Sequence, residues 1–293
     1  MKIFEKAPAK INLSLDITGC RPDGYHEVRM VMATIDLADR IECEPTVNDG
    51  IVLHASVPYI PEDARNLIYQ AADRIKKQYG IREGVKLSVV KQIPVAAGLA
   101  GGSSDAAATI RALNRLWKLG MTRQNMYDLA AQIGSDVPFC IEGGVALATG
   151  RGEKVQRLSA LPPCWVVVVK PNVSVSTAQV YREWDEQEAV SHPDVDAMLK
   201  AVDSCDFQAI CNALGNTLEP VTTGRVPEIS RIKEHLQQLG AEGILMSGSG
   251  PTVFALTQRE SRAQRLLNGI KGYCHEVYAV RPCHVIAPLS KYE

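Results

Sequence analysis

The chain has 293 residues, and its 32 Lys and Arg against 33 Asp and Glu leave a formal net charge of −1 at pH 7. This length predicts about two domains. The balanced charge disfavours a general affinity for nucleic acids or anionic lipid, and 46% hydrophobic with 22% charged residues is typical of a soluble globular protein rather than of a collagen-like or disordered chain.

The sequence offers no obvious membrane segment, export signal or zinc motif. Its longest apolar run, Trp165 to Val169, is far shorter than the roughly 20 residues that span a bilayer. The first eight residues contain charges of both signs and Pro8, whereas an export signal needs an uninterrupted apolar stretch. We therefore expect the protein in the cytoplasm. Eight cysteines and six histidines are scattered without CxxC or HExxH spacing, which predicts reduced structural thiols and no structural zinc.

Residues 9–18 predict the opening strand, because apolar and polar residues alternate strictly. One face of this strand would hold Ile11, Leu13, Leu15 and Ile17. Lys10 and Asn12 share the opposite face. Periodicity alone favours solvent exposure of these two side chains over a catalytic role.

A turn over residues 21–24, Arg-Pro-Asp-Gly, follows this strand, since Pro presets φ at its second position and Gly relieves its fourth. Tyr25 and His26 come next. Together they can stack on a ring and hydrogen bond to it, although a lone Tyr-His pair is usually structural. Two β-rich stretches, 27–37 and 39–45, and a hairpin signal at residues 48–50, Asn-Asp-Gly, predict an antiparallel sheet.

A Gly/Ala-rich segment, residues 94–108, is the most informative part of the sequence. It follows a predicted helix, residues 66–79, and a predicted strand, residues 85–90, and it leads into a further helical pattern. Small residues allow close backbone approach to a ligand, and the free N–H groups and dipole of a helix start favour an anion. A close-packed helix start without a ligand fits the composition equally well. Neither a Walker A motif nor a GxGxxG fingerprint is present.

Three further signals have alternative interpretations. Ser103 or Ser104 can cap the helix or bind phosphate. Asp136, between Gly134 and Pro138, is either a general base or the N-cap of a short helix, and in isolation the cap is favoured. Residues 243–255 form a strand, a Gly/Ser turn and a strand, most simply an ordinary hairpin. From residue 165 onward, the element order predicts a ferredoxin-like lobe with extra helices between its first two strands.

Five segments, taken in order, resemble the GHMP kinase superfamily along the whole chain. They are Ala9–Leu13, Asp23–His26, Pro94–Ser104, Gly134–Phe139 and Ser247–Pro251. The resemblance implies an α+β, two-lobed GHMP kinase fold. It implies a ribosomal-S5-like N-terminal lobe over residues 1–155 and a ferredoxin-like C-terminal lobe over residues 156–293, with ATP and acceptor meeting in the cleft between them.

The resemblance also implies a reaction, because the Asp-Gly-Tyr-His segment is similar to that of kinases acting on a cytidine-diphosphate-linked methylerythritol. The implied step is ATP- and Mg²⁺-dependent phosphorylation of its 2-hydroxyl, in the non-mevalonate route to isoprenoid precursors. Asp136 would take the hydroxyl proton, and Lys10 would orient Asp136 and offset charge on the transferring group. We expect a monomer or weak homodimer, without nucleic-acid or membrane partners.

By the same resemblance, the remaining site residues divide between ATP and acceptor. The phosphate loop comprises Pro94, Val95, Ala96, Ala97, Gly98, Leu99, Ala100, Gly101, Gly102, Ser103 and Ser104. Asn66 and Lys91 would lie on the adenine side, and the metal ligands are unassigned. The acceptor side comprises Asn12, Tyr25, His26, Thr177 and Tyr181, with Tyr25 stacking on cytosine. The alternatives are a GHMP kinase for a mevalonate-, homoserine- or sugar-type acceptor, and a non-catalytic phosphate-ligand-binding protein.

Overall fold

A computed structural model describes residues 2–187 and 190–283. Its strands are β1 (Ile3–Cys20), β2 (His26–Thr46), β3 (Ile51–Ala55), β4 (Gly84–Val90), β5 (Val145–Thr149), β6 (Lys154–Arg157), β7 (Trp165–Lys170), β8 (Gly215–Asn216), β9 (Gly243–Met246), β10 (Val253–Thr257) and β11 (Glu276–Val280). Its helices are α1 (Leu67–Tyr79), α2 (Gly101–Leu116), α3 (Arg123–Ala131), α4 (Val137–Glu142), α5 (Thr177–Asp185), α6 (Val195–Asp203), α7 (Phe207–Asn212), α8 (Glu219–Arg225), α9 (Pro227–Gln238) and α10 (Glu260–Lys271).

The first sheet is built on the long antiparallel pair β1 and β2. Its strand order is β3-β4-β2-β1-β8, and β5 pairs with both β2 and β6. The predicted antiparallel opening is therefore confirmed, but the stretches 27–37 and 39–45 belong to one continuous strand. The hairpin predicted at residues 48–50 is wrong, because β4 lies between β2 and β3 and pairs with both.

The predicted single apolar face of β1 is also wrong. Register shifts occur between Pro8 and Lys10 and again between Asn12 and Ser14. At the second shift β1 has one extra residue relative to β2, which turns the following side chains to the other face of the sheet. Ile11 and Leu13 consequently join one hydrophobic cluster, whereas Leu15 and Ile17 join the other. Strict alternation in sequence thus conceals a change of face in the structure.

The second sheet confirms the ferredoxin-like prediction. Its strand order is β11-β7-β10-β9, which is the order 4-1-3-2 for a βαββαβ unit. The predicted extra helices, α5 to α9, lie between its first two strands in sequence. Among the described residues, none of the helices has the length and apolar character needed to cross a membrane.

The two halves of the chain are joined by shared structure. Short strand β8, which follows α7, pairs in parallel with β1 of the first sheet. One hydrophobic cluster combines residues of β1 and β2 with residues of β7, β10, α6 and α7. Strand β6 ends at Arg157 and pairs with β5, so the first sheet extends two residues past the lobe boundary predicted between residues 155 and 156.

Candidate functional site

A cleft of about 890 Å³ receives residues from both halves of the chain. Its lining includes the middle of β1, the turn before β2, the segment 94–103, the residues just before α4, helix α5 and the turn after β9. The sequence signals that seemed separate along the chain therefore meet at one cavity. The cavity is a groove of the size that small-molecule sites occupy.

The segment 94–104 forms a loop that runs directly into α2. The backbone enters the left-handed region at every second residue before the helix begins at Gly101. The φ angles are 52° at Ala96, 72° at Gly98 and 55° at Ala100. Alternating backbone conformations of this kind present successive N–H groups to an anion. The helix starts earlier than the sequence pattern indicated, which places residues 101–104 in its first turn.

Gly98 is required by the close approach of another loop. A Cβ at this position would lie 2.2 Å from the carbonyl oxygen of Ser247. The Ser247 hydroxyl donates to the Gly98 carbonyl at 3.0 Å and accepts from the Asn12 N–H at 3.3 Å. The Gly/Ser turn between β9 and β10 is a hairpin, as predicted. Through Ser247 it also connects the loop to β1.

Lys10 and Asp136 are brought together although 126 positions separate them in sequence, from 10 to 136. Lys10 Nζ lies 3.6 Å from Asp136 Oδ2 and donates to Asn12 Oδ1 at 2.6 Å. Only 5% of the Lys10 side chain is exposed, against 28% for Asp136. The expectation of solvent exposure from periodicity is therefore wrong for Lys10 and Asn12, both of which are buried.

Asp136 holds the N-cap position of α4, but its carboxylate makes no capping hydrogen bond within the described chain. Pro138 occupies the first turn of that helix, where a missing N–H costs nothing. The Asp136 carboxylate instead faces the cleft and pairs with Lys10. Asp136 therefore occupies the N-cap position, as the cap interpretation predicts, but its side chain does not cap the helix.

The two serines of the loop separate in the structure. Ser104 is fully buried, and its hydroxyl donates to the Pro8 carbonyl at 2.7 Å. It fastens α2 to β1. Ser103 lines the cleft and is partly exposed. Of the pair, Ser103 is therefore the hydroxyl that reaches the cavity, while Ala100 rather than either serine occupies the N-cap of α2.

Four of the five proposed acceptor residues line the same cleft as the loop. Tyr25 is half exposed, and His26 is largely covered by Tyr181, with ring centroids 4.8 Å apart. Burial raises the pKa of Tyr181, so its hydroxyl stays protonated. Thr177, at the start of α5, shares a hydrogen bond of 2.9 Å with Ser249 of the late turn. Tyr25, His26, Thr177, Tyr181 and Ser249 all line the cavity, whereas Asn12 is fully buried beneath it and is not part of the lining.

Arg151 is a cleft residue that sequence reasoning missed. It lies between Gly150 and Gly152, which both have positive φ. Its guanidinium is 5.1 Å from the centroid of the Tyr25 ring and donates to the Ala131 carbonyl. The GRG spacing at residues 150–152 is the signal that could have identified an arginine held on a tight turn.

Asn66 and Lys91 also line the cleft, but both have structural partners. Asn66 caps α1 by accepting from the Ile68 N–H at 2.9 Å. Lys91 donates to Asp39 and, at 2.7 Å, to Asp105 of α2. Burial alone would lower the pKa of Lys91, but Asp105 and Asp39 outweigh burial and raise it. Asp39 and Asp105 were not singled out from the sequence.

Comparison with known proteins first gives the class. The family model described as GHMP kinases N terminal domain matches residues 66–144, and the model described as GHMP kinases C terminal matches residues 198–276. A homoserine kinase from Cytophaga hutchinsonii, at 21% identity, superposes with a TM-score of 0.80 over 97% of this chain and 95% of its own. This likeness shows the shared GHMP kinase fold.

More similar relatives then give the particular family. The 4-diphosphocytidyl-2-C-methyl-D-erythritol kinase of Geobacillus sp. (strain WCH70) is 56% identical over 96% of this chain and 97% of its own length. That of Bacillus subtilis (strain 168) is 55% identical with the same coverage. A crystal structure of 4-(cytidine 5'-diphospho)-2C-methyl-D-erythritol kinase, at 34% identity, has a TM-score of 0.80 over 96% of this chain and 99% of that chain. The chain belongs to the family of 4-diphosphocytidyl-2-C-methyl-D-erythritol kinases.

Proposed function

We propose that this kinase transfers the γ-phosphoryl group of ATP to the 2-hydroxyl of 4-diphosphocytidyl-2-C-methyl-D-erythritol. The observation that carries the proposal is the Lys10–Asp136 pair, 3.6 Å apart, at the cleft between the small-residue loop and the Tyr25–His26 face. The family membership given by relatives at 55% and 56% identity supports the same reaction.

Asp136 accepts the proton of the 2-hydroxyl as the hydroxyl oxygen attacks the γ-phosphorus and ADP leaves. This hydroxyl is on a methyl-bearing, tertiary carbon, so catalysis depends on positioning and proton removal. Lys10 fixes the Asp136 carboxylate and stabilises negative charge on the transferring group. Asn12 holds the Lys10 ammonium through the hydrogen bond of 2.6 Å.

The loop of residues 94–104 binds the ATP phosphates through backbone N–H groups, supported by the start of α2. Mg²⁺ prefers oxygen ligands and binds mostly through substrate phosphates, which fits the Ser103 hydroxyl in the cleft. When bound, Mg²⁺ neutralises phosphate charge. Asn66 and Lys91 contribute to the adenosine side, where the partners of Lys91 fix its position.

The acceptor occupies the opposite end, with its cytosine on Tyr25 and His26 and its methylerythritol at Asn12 and Asp136. Thr177 and Tyr181 of α5 complete this side. The N-terminal lobe, residues 1–155, supplies the phosphate loop and catalytic pair, and the C-terminal lobe, residues 156–293, supplies α5 and the late turn. We propose that the enzyme acts in the cytoplasm as a monomer or weak homodimer.

A substrate panel tests this function. Purified protein, ATP and Mg²⁺ are mixed separately with the cytidine-diphosphate-linked acceptor, mevalonate, homoserine and galactose, and products are identified by mass spectrometry. We expect a mass gain of one phosphoryl group with the first acceptor alone. Turnover of another acceptor instead would replace the proposal with a different GHMP kinase, and ATP binding without any turnover would indicate a non-catalytic protein.

A further inference from the structure

Three metal-binding side chains meet at the edge of the acceptor side. Cys20 and His26 are the last paired residues of the β1–β2 ladder, and Asp185 is the last residue of α5. The Cys20 thiol donates to Asp185 Oδ1 at 3.4 Å, and His26 Nε2 lies 2.7 Å from the same oxygen. The three donor atoms lie within 4.8 Å of one another.

We propose that Cys20, His26 and Asp185 form a binding site for Zn²⁺, with water as the fourth ligand. A thiolate, an imidazole and a carboxylate are all ordinary Zn²⁺ ligands. Mg²⁺ prefers oxygen ligands throughout, so the Mg²⁺ that accompanies ATP does not compete for a site containing sulfur and nitrogen. The donor set therefore selects a softer cation than the one the kinase reaction uses.

The geometry requires the donor atoms to move relative to one another by about 1 Å. Zn–S bonds of about 2.3 Å and Zn–N or Zn–O bonds of about 2.0–2.2 Å place adjacent donors of a tetrahedron roughly 3.4–3.6 Å apart. The Cys20–Asp185 separation of 3.4 Å already meets this value, and the His26–Asp185 separation of 2.7 Å has to open by under about 1 Å. The Cys20 and His26 donor atoms, which lie within 4.8 Å of each other, have to approach by about 1.2 Å at most. Cys20 is exposed and the Asp185 side chain is 39% exposed, so a hydrated cation can reach both.

Binding exchanges a proton for the cation. The Cys20 thiol releases its proton to solvent. The His26 ring donates Nε2–H to Asp185 before the metal binds; it moves this proton to Nδ1, and the freed Nε2 lone pair binds the metal. Two anionic ligands then balance the charge of Zn²⁺. The hydrogen bonds that both groups make to Asp185 are replaced by three metal–ligand bonds from two separate parts of the fold.

The site is coupled to the acceptor end of the cleft through His26. This ring packs on Tyr181 and, with centroids 5.6 Å apart, against Trp184, both on α5. Zn²⁺ would fasten the β1–β2 end to α5 and fix the orientation of the His26 ring on the acceptor side of the cleft. We therefore expect inhibition that acts on acceptor binding; this coupling rests on the proposed function, whereas the metal site itself does not.

Cobalt titration of the full chain tests the site without any substrate. Co²⁺ bound by Cys20 gives a thiolate charge-transfer band and the visible bands of tetrahedral Co²⁺, and added Zn²⁺ abolishes them. Cys20→Ser is expected to remove the charge-transfer band and to weaken Zn²⁺ binding by about 100-fold, since losing a ligand costs at least as much as losing its outer partner. Cys205→Ser is the matched control, because Cys205 is also an exposed thiol.

The spectra decide between two outcomes. An unchanged band in Cys20→Ser, or equal loss in Cys205→Ser, would overturn the site. Kinetics then test the coupling: Zn²⁺ is expected to raise KM for the acceptor in the wild type, leave KM for ATP unchanged, and lose this effect in Cys20→Ser. Equal inhibition of both proteins would overturn the coupling, while absence of turnover in zinc-free wild type supplied with ATP, Mg²⁺ and the acceptor would instead contradict the proposed function.

Discussion

Asp136 shows how one residue can satisfy two descriptions. Its backbone begins α4, while its carboxylate lies 3.6 Å from the Lys10 ammonium. The buried Lys10 is in turn fixed by Asn12 at 2.6 Å. Three side chains from two segments thus form the catalytic centre that we propose, and the role of each can be separated by substitution.

Asp136→Asn preserves the shape of the side chain but removes the base. We expect kcat to fall by roughly 10²–10⁴-fold, the usual contribution of a positioned general base, with KM for ATP little changed. Steady-state kinetics and circular dichroism measure activity and folding. Asp128→Asn, an exposed carboxylate of α3 bonded to Gln124, is the control. Near-normal turnover of Asp136→Asn would reject its role as the base.

Arg151 stands over the Tyr25 ring, at 5.1 Å from its centroid, where a cytidine diphosphate would bring negative charge. We expect Arg151→Ala to raise KM for the acceptor by about 10- to 100-fold, the value of a charge-assisted hydrogen bond, with KM for ATP unchanged. Arg157→Ala, whose guanidinium pairs with Glu142, is the control. An equal change in both KM values would show that Arg151 supports the whole cleft.

At the scale of elements, the connection from β4 through the loop to α2 is held at both ends by one buried ion cluster. Lys91 follows β4, Asp105 lies in the second turn of α2, and Asp39 lies on β2. The Asp39 carboxylate also accepts from the Ile93 N–H at 2.9 Å. Burial raises the pKa of Asp105 to about 7, against the lowering effect of Lys91.

This raised pKa gives a pH prediction. The folded state holds the Asp105 proton more tightly than the unfolded state, so its contribution to stability falls as pH rises from about 4 towards 7. Asp105→Asn removes that dependence. Urea unfolding at pH 5, 6 and 7 should therefore show the wild type losing stability relative to the variant. Parallel pH profiles for the two proteins would contradict the prediction.

The elements also show where sequence reasoning succeeds. Helix α1 was predicted within a residue, because Asn66, the apolar spacing and Gly80 mark its ends locally. The hairpin predicted at residues 48–50 is absent. Its turn residues allow the chain to reverse in several ways, and β4, which pairs with both β2 and β3, comes from a distant part of the sequence. Local chemistry fixes the ends of elements, and packing fixes their partners.

At the scale of the whole molecule, the C-terminal half of the chain contributes a strand to the first sheet. Strand β8 enters the first sheet from the C-terminal half, and Asn216 on it donates to the carbonyls of Met246 and Gly248, both at 2.8 Å. These carbonyls flank Ser247, which contacts Gly98 of the phosphate loop. One buried amide therefore links the sheet, the late turn and the loop.

The Asn216→Ala variant tests this linkage. Two buried carbonyls lose their donor, and we expect the free energy of unfolding to fall by about 1–3 kcal/mol. Because the late turn braces Gly98, KM for ATP should rise as well. Urea unfolding and steady-state kinetics measure the two effects, and Asn212→Ala, an exposed amide bonded to Gln208, is the control. Loss of stability with an unchanged KM for ATP would restrict Asn216 to a structural role.

The sequence by itself determined the class of protein, through the resemblance of five ordered segments to GHMP kinases, and the same resemblance predicted most of the candidate site. It also determined the order of elements in the second lobe, because turns and helix ends are encoded locally. The tertiary structure decided that the polar residues of β1 are buried as well as the apolar ones, since hydrophobic clusters built from distant segments include residues of this strand on both faces. It also separated Ser104 from Ser103, brought Arg151 to Tyr25, and gathered Cys20, His26 and Asp185. These facts depend on contacts between distant segments, which no local pattern of residues specifies.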